Sequence, residues 1–209
     1  MRSPHMERLS AILAKAGLLC VRYTHISPKV EKRADKLQEV LTAVKGQVES
    51  TRHVLRWILA GHSMGARAVC HYAHSNTVPG LVLCSYPVHP PNNHDNVRDT
   101  PLTLLKVPLL WIRGSKDPFC CEDVFKAVFA RMASSKMKLL TVENGDHSLG
   151  RSSKPLSEDV TAQITNAVEE FVSTVNAATN EKSSLKRGAE SGKATGARSA
   201  RKKTRNKNT

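Results

Sequence analysis

A serine stands in the middle of the segment GHSMGAR, residues 61–67, directly after the apolar run VLRWILA. The pattern G-x-S-x-G is typical of a sharp strand-to-helix turn that lifts a serine hydroxyl clear of the backbone. Such a hydroxyl attacks a carbonyl carbon only when a base removes its proton. Taken alone, the motif fits a buried glycine-rich turn equally well, with Gly61 and Gly65 keeping side chains out of a crowded bend.

Two other polar residues follow apolar runs in the same way as Ser63. The run VPLLWIR is followed by GSKD, which contains Asp117, and the run MKLLTV is followed by ENGDH, which contains His147. Because the carboxyl ends of parallel strands meet at one edge of a sheet, we expect the three side chains to lie together. His147 would then take the serine proton, and Asp117 would orient its imidazole. This chemistry suits ester or acyl hydrolysis.

Strands and helices alternate in the hydrophobic pattern that must position these residues. The predicted strands are residues 18–24, 54–60, 80–86, 107–113 and 137–142, and the predicted helices are residues 6–16, 29–49, 64–74, 121–133 and 157–176. Each predicted strand is a short continuous apolar run, which is typical of strands buried on both faces. The pattern therefore predicts an α/β fold with a mainly parallel sheet and helices on both faces.

Other chemically capable side chains are predicted to have structural or solvent-exposed positions. They are His71, His74, His89, His94, Asp95, Asp146, Cys120 and Cys121. Asp146 is adjacent to His147, so it could replace Asp117 only with difficulty and is expected to shape its loop. The sequence predicts no metal site in the proline-rich loop around His89, and no cofactor.

The chain has 209 residues and a net charge of +14, of which +8 lies in residues 177–209. This basic tail has almost no large apolar residues, so we predict that it is disordered. Its pairs and runs of Lys and Arg suggest a nuclear import signal and weak nonspecific contact with nucleic acid. Five irregularly spaced cysteines favour a reducing intracellular compartment, nucleus or cytoplasm, and no run is long enough to span a membrane.

Four segments together resemble one α/β-hydrolase family. They are GHSMGARA, GLVLCSYPVHPP, RDTPLTLLKVPLLWIRGSKDPFC and NGDHSL. The family is that of the third subunit of the nuclear NSL histone-acetyltransferase complex and its shorter testis-expressed relative, related to dienelactone hydrolases. The resemblance covers residues 4–175 and implies a catalytic triad of Ser63, Asp117 and His147. One departure is His62, which stands where these relatives usually carry Arg.

An acyl-transfer site also needs donors for the oxyanion, and the backbone N–H of Met64 is the predicted one. A second donor normally comes from a loop with an HG pair after an earlier strand, and SPHM at residues 3–6 looks like the end of such a loop. The resemblance therefore implies a fold that lacks its first strands. We expect slow ester hydrolysis, since one lost donor costs about a hundredfold in turnover. The alternative function is that of a weakly active or inactive interaction subunit of a nuclear chromatin-associated complex.

Overall fold

The structure is a computed structural model that describes residues 4–47, 56–150 and 156–177. In order, its helices and strands are α1 (Pro4–Lys15), α2 (Val30–Gln47), β1 (Leu59–His62), α3 (Met64–Ser75), β2 (Leu81–Cys84), α4 (Thr100–Thr103), β3 (Leu109–Gly114), α5 (Glu122–Phe129), β4 (Met137–Val142) and α6 (158–177). From β1 onward, helices follow strands along the chain as the hydrophobic pattern predicts, whereas two helices in succession precede β1.

The four described strands form one sheet in the order β1-β2-β3-β4, and every neighbouring pair is parallel. Every residue of β2 and β3 is buried. A strand with no exposed residue must be covered on both faces, which explains why these runs are continuously apolar instead of alternating. The predicted α/β architecture with a mainly parallel sheet is confirmed.

Alternate residues of the central strands pack into a core with the flanking helices. From the sheet, Leu81, Leu83, Leu109 and Trp111 join a cluster that includes Leu37 and Leu41 of α2 and Phe125 and Val128 of α5. Alternate residues of a strand lie on one face, and so do Leu37 and Leu41, which are four residues apart on α2. These faces pack together and are removed from water. Helix α6 contributes further buried residues: Ile164, Ala167, Val168 and Phe171.

The prediction of a strand at residues 18–24 is wrong. This segment has no strand or bridge in the structure, and Leu19, Val21 and Tyr23 are 54%, 42% and 37% exposed. Apolar composition is not sufficient for a strand, because the backbone needs a ladder partner. Within the described part of the chain, β1 pairs with β2 alone. A cavity of about 500 Å³ is lined by residues 18–25 and 56–62 among others.

Most of the remaining boundaries agree to within a few residues, and strand β4 coincides with its prediction. Strand β1 begins later than predicted, at Leu59, although part of the predicted segment lies outside the described residues. The basic tail also lies outside them, apart from residue 177, so its disorder stays a prediction. In the described part of the chain, no helix is both long enough and apolar enough to cross a membrane.

Candidate active site

Ser63 lies at a tight bend between β1 and α3. Its backbone angles are φ 54° and ψ −117°, a conformation that a residue with a side chain rarely adopts. Such strain costs about 1–3 kcal/mol and persists only where the surroundings impose it. Here the Ser63 N–H donates to the carbonyl of Cys84 in β2 (3.0 Å), and its carbonyl accepts from the N–H of Arg67 in α3 (3.2 Å). The sheet and the helix therefore hold the serine from both sides.

The two motif glycines have different roles. A Cβ on Gly61 would overlap the backbone carbonyl of Gly65, so the close approach of the strand to the first turn of α3 requires glycine there. A Cβ on Gly65 would meet nothing within 4 Å. The expectation that both glycines clear the bend is thus correct for Gly61 alone; Gly65 instead contributes the backbone against which Gly61 packs.

The structure brings Ser63, His147 and Asp117 together in one hydrogen-bonded row. His147 Nε2 lies 2.8 Å from Ser63 Oγ, and His147 Nδ1 lies 2.9 Å and 3.0 Å from the two carboxylate oxygens of Asp117. The Asp117 side chain is fully buried, whereas that of His147 is 23% exposed. A buried carboxylate favours the tautomer with a proton on Nδ1, which leaves the Nε2 lone pair free to accept the serine proton.

Two loops at the carboxyl ends of β3 and β4 carry Asp117 and His147, and backbone hydrogen bonds join them. Ser115 N–H donates to the carbonyl of Val142 (3.0 Å) and Lys116 N–H to that of Gly145 (2.8 Å). A Cβ on Gly114 would overlap the carbonyl oxygens of the facing loop, so glycine permits this close approach. The acid and the base are therefore fixed relative to one another by main chain.

Three residues for which the sequence predicts no role in the site hold the loops around this row. Phe119 N–H donates to Asp117 Oδ1 (2.9 Å), and the Phe119 ring lies 4.4 Å from the His147 ring. Arg113, buried at the end of β3, donates to Glu122 (2.7 Å) and to the carbonyl of Cys120 (3.3 Å). The hydrogen bond from Arg113 lowers the pKa of Glu122. An arginine inside an apolar run indicates only a strand residue, so the hydrogen bonds of Arg113 could not be predicted from the sequence.

His62 is the third of these supporting residues. Its Nε2–H donates to the backbone carbonyl of His147 (2.8 Å), and the two imidazole rings lie 5.3 Å apart. The elbow is thereby joined to the loop that carries the base. The sequence marked His62 only as a departure from the Arg of the family it resembles.

Replacing His62 by alanine is expected to lower kcat for an ester by about 10- to 100-fold with little change in KM, because small displacements of a base slow the chemical step. Glutamine keeps an N–H donor, so His62→Gln should retain more activity than His62→Ala. Steady-state kinetics of both variants measure this effect. Equal losses in the two variants, or a change confined to KM, would contradict a positioning role.

Met64, whose backbone N–H is the predicted oxyanion donor, lies beside the bend. Met64 is the first residue of α3 and directly follows Ser63. The first N–H groups of a helix have no acceptor within the helix and lie at its positive end, which suits them to a developing negative charge. The predicted second loop, SPHM, begins outside the described residues, and from Pro4 onward it belongs to α1.

The alternative candidates have the structural positions that were expected of them. Asp146 Oδ1 accepts the N–H of Ser148 (2.7 Å) and so shapes its own loop. His71 and His74 are exposed. Cys120 is buried, and this burial raises the pKa of its thiol to about 12, so the thiol stays protonated near neutral pH.

The chain shares its fold with solved structures of hydrolases. Est1E of Butyrivibrio proteoclasticus, solved with ferulic acid bound, is 17% identical with a TM-score of 0.61 over 84% of each chain. The esterase domain of a Rhodothermus marinus protein is 14% identical, with a TM-score of 0.58 over 80% of this chain and 79% of that one. An α/β serine hydrolase homologue from Coxiella burnetii is 16% identical, with a TM-score of 0.53 over 78% and 75%. At such identities the likeness establishes the fold.

The family follows from the sequence itself. The model of the alpha/beta hydrolase domain family matches residues 1–176, which include the elbow serine, the acid and the base. With its parallel sheet and with polar residues at the carboxyl ends of β1, β3 and β4, the chain belongs to the alpha/beta hydrolase domain family.

Proposed function

We propose that this protein is a serine hydrolase that cleaves ester or acyl bonds with Ser63, His147 and Asp117. The hydrogen-bonded row from Ser63 Oγ through the His147 ring to the buried Asp117 carboxylate carries the proposal. A lone serine, histidine or aspartate in a loop has many ordinary roles. All three at hydrogen-bonding distance, in the order that proton transfer requires, match the needs of nucleophilic acyl transfer.

The proposed mechanism gives each of these residues a role. His147 Nε2 removes the Ser63 proton as Oγ forms a bond to the acyl carbon, and the Met64 N–H donates to the resulting oxyanion. The tetrahedral intermediate then breaks its bond to the alcohol oxygen, and His147 returns the proton to that leaving alcohol. Water attacks the acyl-serine by the same route and releases the acid. Asp117 orients the imidazole and stabilises the imidazolium.

Hydrolysis of p-nitrophenyl acetate by the purified chain tests this function. We expect p-nitrophenolate release above the buffer rate and its loss in Ser63→Ala. The matched control is Ser148→Ala, which removes a serine hydroxyl from the loop after β4 and should keep the activity. A rate that is the same in Ser63→Ala and in the wild type would contradict the proposal.

The same assay distinguishes the proposed hydrolase from the alternative function. A folded chain without any esterase activity would favour an interaction subunit, as the resemblance to the NSL-complex family suggests. That family membership, the nuclear location and the nucleic-acid contact of the basic tail stay predictions from the sequence alone.

A further inference from the structure

A second cluster of chemically capable side chains lies outside the serine row. His89 follows β2 in the proline-rich loop, His94 ends the same loop, and Cys121 directly precedes α5. One ligand atom from each of the three residues can be chosen so that all lie within 4.8 Å of one another. We propose that these three side chains bind a divalent transition metal of the zinc class, with the remaining position open to water.

The fold brings the three donors together from distant parts of the sequence. The N–H of His89 donates to the carbonyl of Phe119 (3.2 Å), which fixes the proline-rich loop against the segment before α5. Within the loop, Asn93 N–H donates to the carbonyl of Pro90 (3.3 Å), so the chain turns back and places the His94 ring 4.5 Å from the His89 ring. The sequence could not predict this cluster, since 32 residues separate His89 from Cys121.

The hydrogen bonds of His89 define its tautomer. Nδ1–H donates to the carbonyl of Pro90 (2.8 Å), and Nε2 accepts from the backbone N–H of Cys121 (3.0 Å). A metal-binding histidine characteristically donates its other ring N–H to a carbonyl or carboxylate, and His89 already does so. Its Nε2 lone pair faces Cys121, and the metal would accept this lone pair in place of the Cys121 N–H.

The donor set and its burial determine the class of ion. Imidazole nitrogen and thiolate sulfur are borderline-to-soft ligands that suit zinc and exclude magnesium or calcium as the preferred ion. Zinc bonds of about 2.0–2.3 Å place tetrahedral ligands about 3.5 Å apart, so the cluster must contract by about 1 Å. His89 is buried, Cys121 half-buried and His94 exposed, which gives one fixed ligand, an entry path and a movable third ligand.

Cobalt(II) is the probe, because a cobalt–thiolate bond gives a near-ultraviolet charge-transfer band. The full chain, stripped of metal with a chelator, should develop this band at one equivalent of cobalt, and zinc should displace the cobalt. Cys121→Ser should abolish the band, and His94→Ala should weaken cobalt affinity at least about tenfold, the effect expected of losing a ligand or its support. His89 is left unchanged because its removal would disturb the buried loop.

Two matched controls make the result specific. Cys20→Ser removes another half-buried thiol, and His71→Ala removes an exposed imidazole; both variants should bind cobalt as the wild type does. At the same zinc concentration, zinc should also raise the melting temperature of the wild type more than that of His94→Ala, because an ion that binds only the folded state stabilises it in proportion to its affinity. No band in the wild type, a band that persists in Cys121→Ser, or a band lost in Cys20→Ser would each overturn the site. None of these readouts depends on hydrolysis.

Discussion

Replacing His147 by alanine is expected to lower kcat for p-nitrophenyl acetate by at least about a thousandfold, as much as the loss of Ser63 itself. The reason is that Ser63 Oγ lies 2.8 Å from His147 Nε2, the ring nitrogen that takes its proton in the proposed mechanism. Without that base the serine hydroxyl stays protonated and is a weak nucleophile. The double variant Ser63→Ala, His147→Ala should be no slower than either single variant, because the members of the row act as one unit.

The exposed histidine His71 is the matched control for this experiment. His71→Ala should keep the wild-type kcat, and circular dichroism should show that all variants are folded. If Ser63→Ala removes activity while His147→Ala does not, another group is the base. The fold-loss of kcat in the double variant could instead equal the product of the fold-losses in the two single variants. The two residues would then act independently, and the proposal that the row acts as one unit would be wrong.

Replacing Asp117 by asparagine is expected to lower kcat by about 10⁴-fold with little change in stability. Asp117 Oδ1 accepts the Phe119 N–H, so an asparagine oxygen at that position turns the amide NH₂ towards His147 Nδ1. An NH₂ group at the Oδ2 position, 2.9 Å from Nδ1, favours the tautomer in which Nδ1 accepts and Nε2 carries the proton, and this tautomer cannot take the serine proton. Steady-state kinetics and a thermal melt measure the two effects.

The neighbouring Asp146 provides the control for Asp117→Asn. Its Oδ1 accepts the Ser148 N–H, a bond that an asparagine oxygen also accepts, so Asp146→Asn should be nearly as active as the wild type. A larger loss of kcat in Asp146→Asn than in Asp117→Asn would contradict the account, because it would make Asp146 the acid that orients His147.

The parallel sheet could be predicted because each central strand is an apolar run long enough to be recognised without knowledge of its neighbouring strands. Strands β2 and β3 are buried on both faces, so most of their residues are apolar and their burial can be predicted from the sequence. The segment 18–24 has the same composition but no ladder partner in the described structure. Pairing depends on distant backbone, which composition does not encode, and this is why that prediction was wrong.

The three members of the proposed row could also be predicted from sequence, because each lies within a few residues of the end of a strand and parallel strands end at one edge. The groups that support them could not. His62 donates to a backbone carbonyl 85 residues away, and Phe119 stacks on His147 from another loop. Such contacts depend on loop conformations that only the folded chain determines.

Covalent labelling of Ser63 tests the central claim most directly. A fluorophosphonate probe reacts only with a serine whose proton is taken by a nearby base, and the adduct survives digestion and mass spectrometry. We predict one adduct per chain, on the peptide that contains Ser63, and its absence from both Ser63→Ala and His147→Ala. An adduct on another residue, or labelling of the Ser63→Ala chain equal to that of the wild type, would contradict the account.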